Sequence, residues 1–215
     1  VNALAAAQLD IVAEVMAASH AEHALVCPSY YSTDPVLERV FGAMPADYWE
    51  ELGVGLPAET GIFWTGDKVC AQSHDAAGLG EIAARFARKP VLWDNYPVND
   101  GARGSNFLRV DAFRGRGSEL AGLTQAHFVN PMNQCWLSRL ALQSLALLYQ
   151  QGPAYDADAA FAHCTLAQCG EALAAALAAD RDALQHEGLS ALSGARLAQM
   201  RARYTAFRSP YAQEI

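Results

Sequence analysis

Four short apolar runs constrain this chain more than anything else in it, because each ends on polar residues and gives way to a helical stretch. The first is Ala24 to Pro28, ending in Ser29-Tyr30-Tyr31-Ser32-Thr33. The second is Gly61 to Thr65. The third is Pro90 to Trp93, ending in Asp94-Asn95-Tyr96, and the fourth is His127 to Val129, ending at Asn130-Pro131. Apolar residues at three-and-four spacing predict an amphipathic helix over residues 1–20, and further helices over 76–88 and 134–150. Residues 35–56 read as a mixed segment with helical turns. Short apolar strands alternating with helices predict a parallel sheet covered on its faces. In such folds the ligand sites form at the C-terminal ends of the strands, where these four runs carry their hydrogen-bonding groups.

Beyond Gly152-Pro153 the character changes. No strand-like run follows, and Ala, Leu and Arg dominate. Residues 156–180 and 190–207 predict two long helices, with Gly188 in the turn between them. The expected division is therefore an α/β part over residues 1–152 and a helical appendage over 153–215.

Charge excludes some functions. The 215 residues carry 15 Lys+Arg against 23 Asp+Glu, a net −8, which lacks the basic footprint of a nucleic-acid or anionic-membrane binder. No apolar run approaches the roughly 20 residues of a membrane-spanning helix. The five cysteines are odd in number and irregularly spaced, which argues against a disulfide framework and favours a cytoplasmic location. His163-Cys164 with Cys169 fits neither a CxxC pair nor a helical metal pair, so no metal is expected. There is also no Gly-rich phosphate loop and no Gly-x-Ser-x-Gly elbow. His127, on the last strand, reads as packing or a hydrogen bond. Arg103, Arg109, Arg114 and Arg116 form a basic loop patch that is most simply solvated, with carboxylate or phosphate binding as the sharper alternative.

The most informative stretch is Trp93 to Asp100, WDNYPVND. Strand alternation puts Val91, Trp93 and Asn95 on one face, and Leu92 and Asp94 on the other. An aromatic wall beside an amide and a carboxylate is a good kit for a sugar. Equally, Asp94 and Asn95 could cap the next turn while Trp93 fills core. Residue types alone leave both open.

WDNYPVND, with FWTGDKVC upstream, FVNPMNQ downstream and LVCPSYY before them, resembles glycoside hydrolase family 84, the β-N-acetylglucosaminidases that include O-GlcNAcases and hyaluronidase-like enzymes. The resemblance covers roughly residues 1–150 and implies a (β/α)8 barrel. The four strands would be strands five to eight, making this the C-terminal half of a barrel with its helical domain attached. A whole barrel needs about 250 residues.

Residue by residue, the resemblance makes Tyr31 a hydrogen-bonding partner of the acetamido oxygen. Thr65 and Val69 would line the acetamido pocket and the leaving-group side, and Trp93 the wall beneath the N-acetyl group. Asn95 would contact the reacting acetamido region, Asp100 would bind two sugar hydroxyls as a buried carboxylate, and Asn130 another. The family's reaction is retaining and substrate-assisted, without cofactor, an exception to the two-carboxylate scheme.

Departures are Asp67 where the family has proline, Gly101 after the Asn-Asp step, and Asp111-Ala112 where it has Gly-Pro. The largest departure is that no Asp-Asp pair occurs in the chain. The catalytic pair of the resemblance is expected upstream of Val1, so the chain alone is expected to be inactive. The partners implied are an N-acetylglucosamine-bearing glycoconjugate and the N-terminal half of the same enzyme, with no nucleic acid and no membrane. The alternatives are a non-catalytic carbohydrate- or ligand-binding α/β module and an independent flavodoxin-like open sheet.

Overall fold

A computed structural model describes residues 2–20 and 23–215. The chain divides into two compact units, one from Val1–Asp94 with Glu119–Phe128, the other from Asn95–Ser118 with Val129–Ile215. The strands are β1 (Leu25–Val26), β2 (Gly61–Trp64), β3 (Val91–Asp94) and β4 (Ala126–Val129). They form one sheet in the order β1-β2-β3-β4, and the β1–β2 and β2–β3 pairs are parallel. All four coincide with the apolar runs of the sequence to within a few residues.

In the first unit, α1 (Ala3–Ser19), α2 (Val36–Phe41), α3 (Tyr48–Gly55), α4 (Ala76–Arg85) and α6 (Leu120–Leu123) accompany the strands. Alternation sorts the strand side chains into two sets. Trp64 meets Trp49 of α3 edge-on at 5.3 Å and Phe86, just after α4, at 6.1 Å, so this face of β2 is the helix-covered one. Phe63 turns the other way and meets Trp93 at 5.1 Å and Phe128 at 5.6 Å. Helix α3 comes close to the end of α4 because position 53 is glycine: a Cβ there would lie 2.3 Å from the carbonyl oxygen of Phe86.

The guanidinium of Arg88 closes this region. It donates to the carbonyls of Gly53, Leu56, Pro57 and Thr60, satisfying acceptors that the end of α3 leaves without helical partners. Asp75 caps α4 by accepting from the Gly78 amide at 2.7 Å.

Helix α1 forms where the sequence expects a helix, but Ala5 is its only buried residue, and Ile11 and Val15 are each 59% exposed. The asparagine cap at Asn2 forms as such a helix requires. What the sequence pattern does not reveal is that α3 meets only one side of α1.

The second unit holds α5 (Gly101–Gly104), α7 (Cys135–Gln151), α8 (Ala157–Asp182), α9 (Gly194–Thr205) and α10 (Pro210–Gln213). Leu137 and Leu140 of α7, Phe161 and Leu177 of α8, and Met200 and Tyr204 of α9 share one core. The long helix expected over 156–180 is interrupted at Gly170, whose φ of +74° is a conformation that glycine adopts without steric cost. The carboxylate of Asp180, fully buried, receives Arg196 and Arg203 from α9 and so pins α9 to α8. Among the described residues, no helix is long and apolar enough to cross a membrane.

Candidate functional site

In the first unit the ends of β1 and β2 are stitched together beyond their strand pairing. The Thr65 amide donates to the Tyr31 carbonyl at 2.9 Å, and the Thr33 amide donates back to Gly66 at 3.3 Å. The Ser32 hydroxyl adds a bond to the same Gly66 carbonyl at 2.8 Å. Gly66 turns the chain with φ of +104°, which a side chain would resist. The Thr65 hydroxyl donates to the carbonyl of Lys68 at 3.0 Å.

Tyr31, Thr65 and Val69 are thus brought into one neighbourhood, with Asp34 as its anchor. The Asp34 carboxylate accepts from the amides of Val36 and Val69. Those backbone bonds, led by that of Val36, hold its carboxyl below the usual range. Burial, with Cys27, Cys70 and Asp34 nearby, raises the Tyr31 phenol and keeps it an O–H donor. The sequence reading passed over Asp34, although an Asp two residues before a helix start is a legible turn signal.

Trp93 lies on the Phe63 face of the sheet and Asp94 on the opposite, helix-covered face, as alternation predicts. Asp94 is not a surface group: its side chain is 1% exposed, and His127 Nε2 lies 3.2 Å from its Oδ2. His74 Nε2 approaches the same oxygen at 3.7 Å, too far for a hydrogen bond, so this buried nitrogen has none. The hydrogen bond expected of His127 is therefore found, and its partner is Asp94. His74 went unread because nothing local in its loop marks it.

In the second unit, Asn130 donates its side-chain amide to the Asn95 Oδ1 at 3.1 Å. Asn99 is buried and donates to Gln134 Oε1 and to the Phe107 carbonyl, both at 3.0 Å. Its neighbour Asp100, expected to be buried, is instead exposed, and it precedes α5 without a side-chain capping bond, so its carboxylate is not spent on the turn. Tyr96 donates to the Asp111 carbonyl at 2.7 Å, and burial raises its phenol strongly.

The arginine patch is solvated only in part: Arg103 is exposed, as expected, whereas the other three are engaged by their own unit. Arg109 donates to the Gln185 carbonyl at 2.6 Å and lies over the Phe107 ring, while Arg114 bridges Asp111 and Asp158. Arg116 donates to the Arg114 carbonyl. Asp111, one of the departures from the family pattern, is the buried hub, and it also receives Arg181 of α8. The segment that differs most in sequence is thereby fastened to the helical part of its own unit.

Other chemistries find little support. No disulfide links any of the five cysteines. Burial pushes the Cys164 and Cys169 thiols up to about 11, too high to furnish a thiolate nucleophile at neutral pH. Among the described residues, no group of three His, Cys, Asp or Glu side chains is arranged to hold a metal ion.

Comparison with known proteins adds three findings. The Protein O-GlcNAcase of Mus musculus is 27% identical over 150 residues, and that of Rattus norvegicus is equally so. The match takes in 69% of this chain but only 16% of either relative. A solved structure, a mutant O-GlcNAc hydrolase of Thermobaculum terrenum, superposes with a TM-score of 0.73 at 26% identity, over 98% of this chain and 45% of that one. The chain therefore spans less than half the length of each of these relatives. A family described as beta-N-acetylglucosaminidase matches residues 2–180. By that match, which runs from α1 into α8, the chain belongs to the β-N-acetylglucosaminidase family.

Proposed function

We propose that this chain is the sugar-binding part of a retaining β-N-acetylglucosaminidase that removes terminal β-linked N-acetylglucosamine from glycoconjugates, as an O-GlcNAcase does. The observation that carries the reading is the superposition over 98% of this chain on 45% of an O-GlcNAc hydrolase. In this reading β1 to β4 are strands five to eight of a (β/α)8 barrel, residues 1–152 are barrel and residues 153–215 the helical domain. The strand order β1-β2-β3-β4, with β1 and β4 at its two ends, is what consecutive strands of such a barrel require.

The reaction is substrate-assisted. The acetamido oxygen attacks the anomeric carbon as a general acid protonates the departing oxygen, giving an oxazoline. Water, activated by the same carboxyl now acting as base, then opens it with net retention. Tyr31 donates to the acetamido oxygen, Thr65 and Val69 line the pocket, and Trp93 walls it. Asn95 contacts the reacting group, while Asp100 and Asn130 hold hydroxyls. The acid/base pair comes from outside these residues, on an N-terminal half that completes the barrel. No metal or organic cofactor takes part. The missing Asp-Asp pair favours one other reading, a carbohydrate-binding module without catalysis.

Asp100 gives the test. Its exposed carboxylate is available for two hydroxyls, and hydrogen bonds to charged groups contribute about 1.5–3 kcal/mol each. In the full-length polypeptide as its gene encodes it, Asp100→Ala is expected to weaken a thiazoline analogue of N-acetylglucosamine by roughly 10- to 100-fold or more in a calorimetric titration. Unchanged affinity would contradict the assignment.

A further inference from the structure

We infer that Asp94, between the imidazoles of His127 and His74, is a positioning residue that locks the end of β3 to the turn after β2. The inference rests on the reading of Trp93 and Thr65 as walls of the acetamido pocket, because β3 ends at Trp93-Asp94 and the turn carries Thr65.

The geometry begins with the sheet. Leu92 pairs in register with Trp64, whose ring is covered by α3 and the end of α4, so Leu92 and Asp94 point to the helix-covered side. His127 alternates with Phe128, which faces the other way, and therefore arrives on the same side as Asp94. The side chains of His74, Asp94 and His127 are 1%, 1% and 6% exposed. A carboxylate only accepts, so at 3.2 Å the His127 Nε2 must carry the hydrogen. That bond compensates a charge which burial would otherwise make costly, and in a dry setting it is stronger than at the surface.

His74 supplies the second half of the lock. Its ring lies directly on Gly66, where a Cβ would come within 3.1 Å of both Cε1 and Nδ1. Its Nε2 faces the Asp94 carboxylate at 3.7 Å. One imidazole thus fills the space between the Thr65-Gly66 turn and the end of β3, and one buried carboxylate is bonded by His127 of β4 and lies against His74 of the loop after β2. Trp93 is the very next residue, on the opposite face against Phe63. Anchoring Asp94 fixes the strand end and hence the plane of the Trp93 ring. In a reaction whose nucleophile is the substrate's own acetamido oxygen, that plane governs orientation more than affinity. A displacement of about 1 Å in such a geometry can cost on the order of 100-fold.

The test uses the full-length polypeptide with His127→Phe, which fills the space without a donor, and His127→Gln, which restores an N–H. With a chromogenic β-N-acetylglucosaminide, His127→Phe is expected to lower kcat by roughly 10- to 100-fold while KM moves by less than about threefold. His127→Gln is expected to recover kcat to within about threefold of the parent. Amide exchange in residues 64–66 and 93–94 should rise at least about tenfold in His127→Phe and not in His127→Gln. Activity of His127→Phe near that of the parent, or equal losses in the two variants, would overturn the inference. If no variant and not even the parent hydrolyses the substrate, the functional reading fails. Exchange then judges the lock alone: a rise confined to those two segments sustains it, and unchanged exchange overturns it.

Discussion

Purified alone, the 215-residue chain is expected to leave a chromogenic β-N-acetylglucosaminide unhydrolysed. The family's reaction needs one carboxyl to orient the acetamido nitrogen and a second to move the proton, and the sequence has no adjacent Asp pair. Positioned proton transfer is typically worth 10²–10⁴-fold, so its absence alone should bring turnover down by about that factor. Loss of acetamido orientation lowers it further. Among the described residues, the buried aspartates Asp94, Asp111 and Asp180 are each already engaged by imidazole or guanidinium groups. Supplying the N-terminal half of the same enzyme is expected to restore turnover. Robust hydrolysis by the isolated chain, verified by intact mass, would place the acid and base within these residues and defeat the half-barrel reading.

The largest stability effect is expected at Phe86. Its ring is fully buried, meets Trp64 edge-on, and follows α4 where α3 presses closest through Gly53. Truncating a buried phenylalanine removes its transfer free energy and leaves a cavity, together about 3–5 kcal/mol. Helix α3 is held to the adjoining carbonyls by the Arg88 fan and cannot slide in to fill the gap. Phe86→Ala should therefore take a large share of a total that is typically about 5–15 kcal/mol. Denaturant unfolding monitored by tryptophan emission, which reads Trp49 and Trp64 directly, measures it. A loss under about 1 kcal/mol would mean that the helices relax freely against the sheet.

The four strands were legible because each apolar run is short and punctuated by polar residues, a pattern that periodicity alone reads well. The two long helices of the appendage were legible from length and composition, apart from the break at Gly170. Helix α1 was legible as a helix, but a repeat of apolar residues does not say what covers it. The arginines misled for a related reason. Arg114 finds Asp158 and Arg109 finds the Gln185 carbonyl many residues away in sequence, so part of a loop that reads as basic and solvated is bonded within its own unit.

Within the candidate site, alternation correctly separated Trp93 from Asp94. The hydrogen bond of His127 was foreseen but not its acceptor, 33 residues earlier. His74 gave no signal at all, since its importance comes from lying on Gly66 and beside Asp94, and contacts of that kind are tertiary. Asn99 and Asp100 show the same limit: neighbours of similar chemistry, one buried in a bond to Gln134, the other exposed.

The most direct test of the central claim is a crystal structure of the full-length polypeptide with a bound thiazoline analogue of N-acetylglucosamine. The account predicts the fused thiazoline ring against the indole of Trp93 and next to Thr65, the Tyr31 hydroxyl on the atom that replaces the acetamido oxygen, and the Asp100 carboxylate within about 3 Å of two sugar hydroxyls. A sugar bound elsewhere, with none of these side chains in contact, would contradict it.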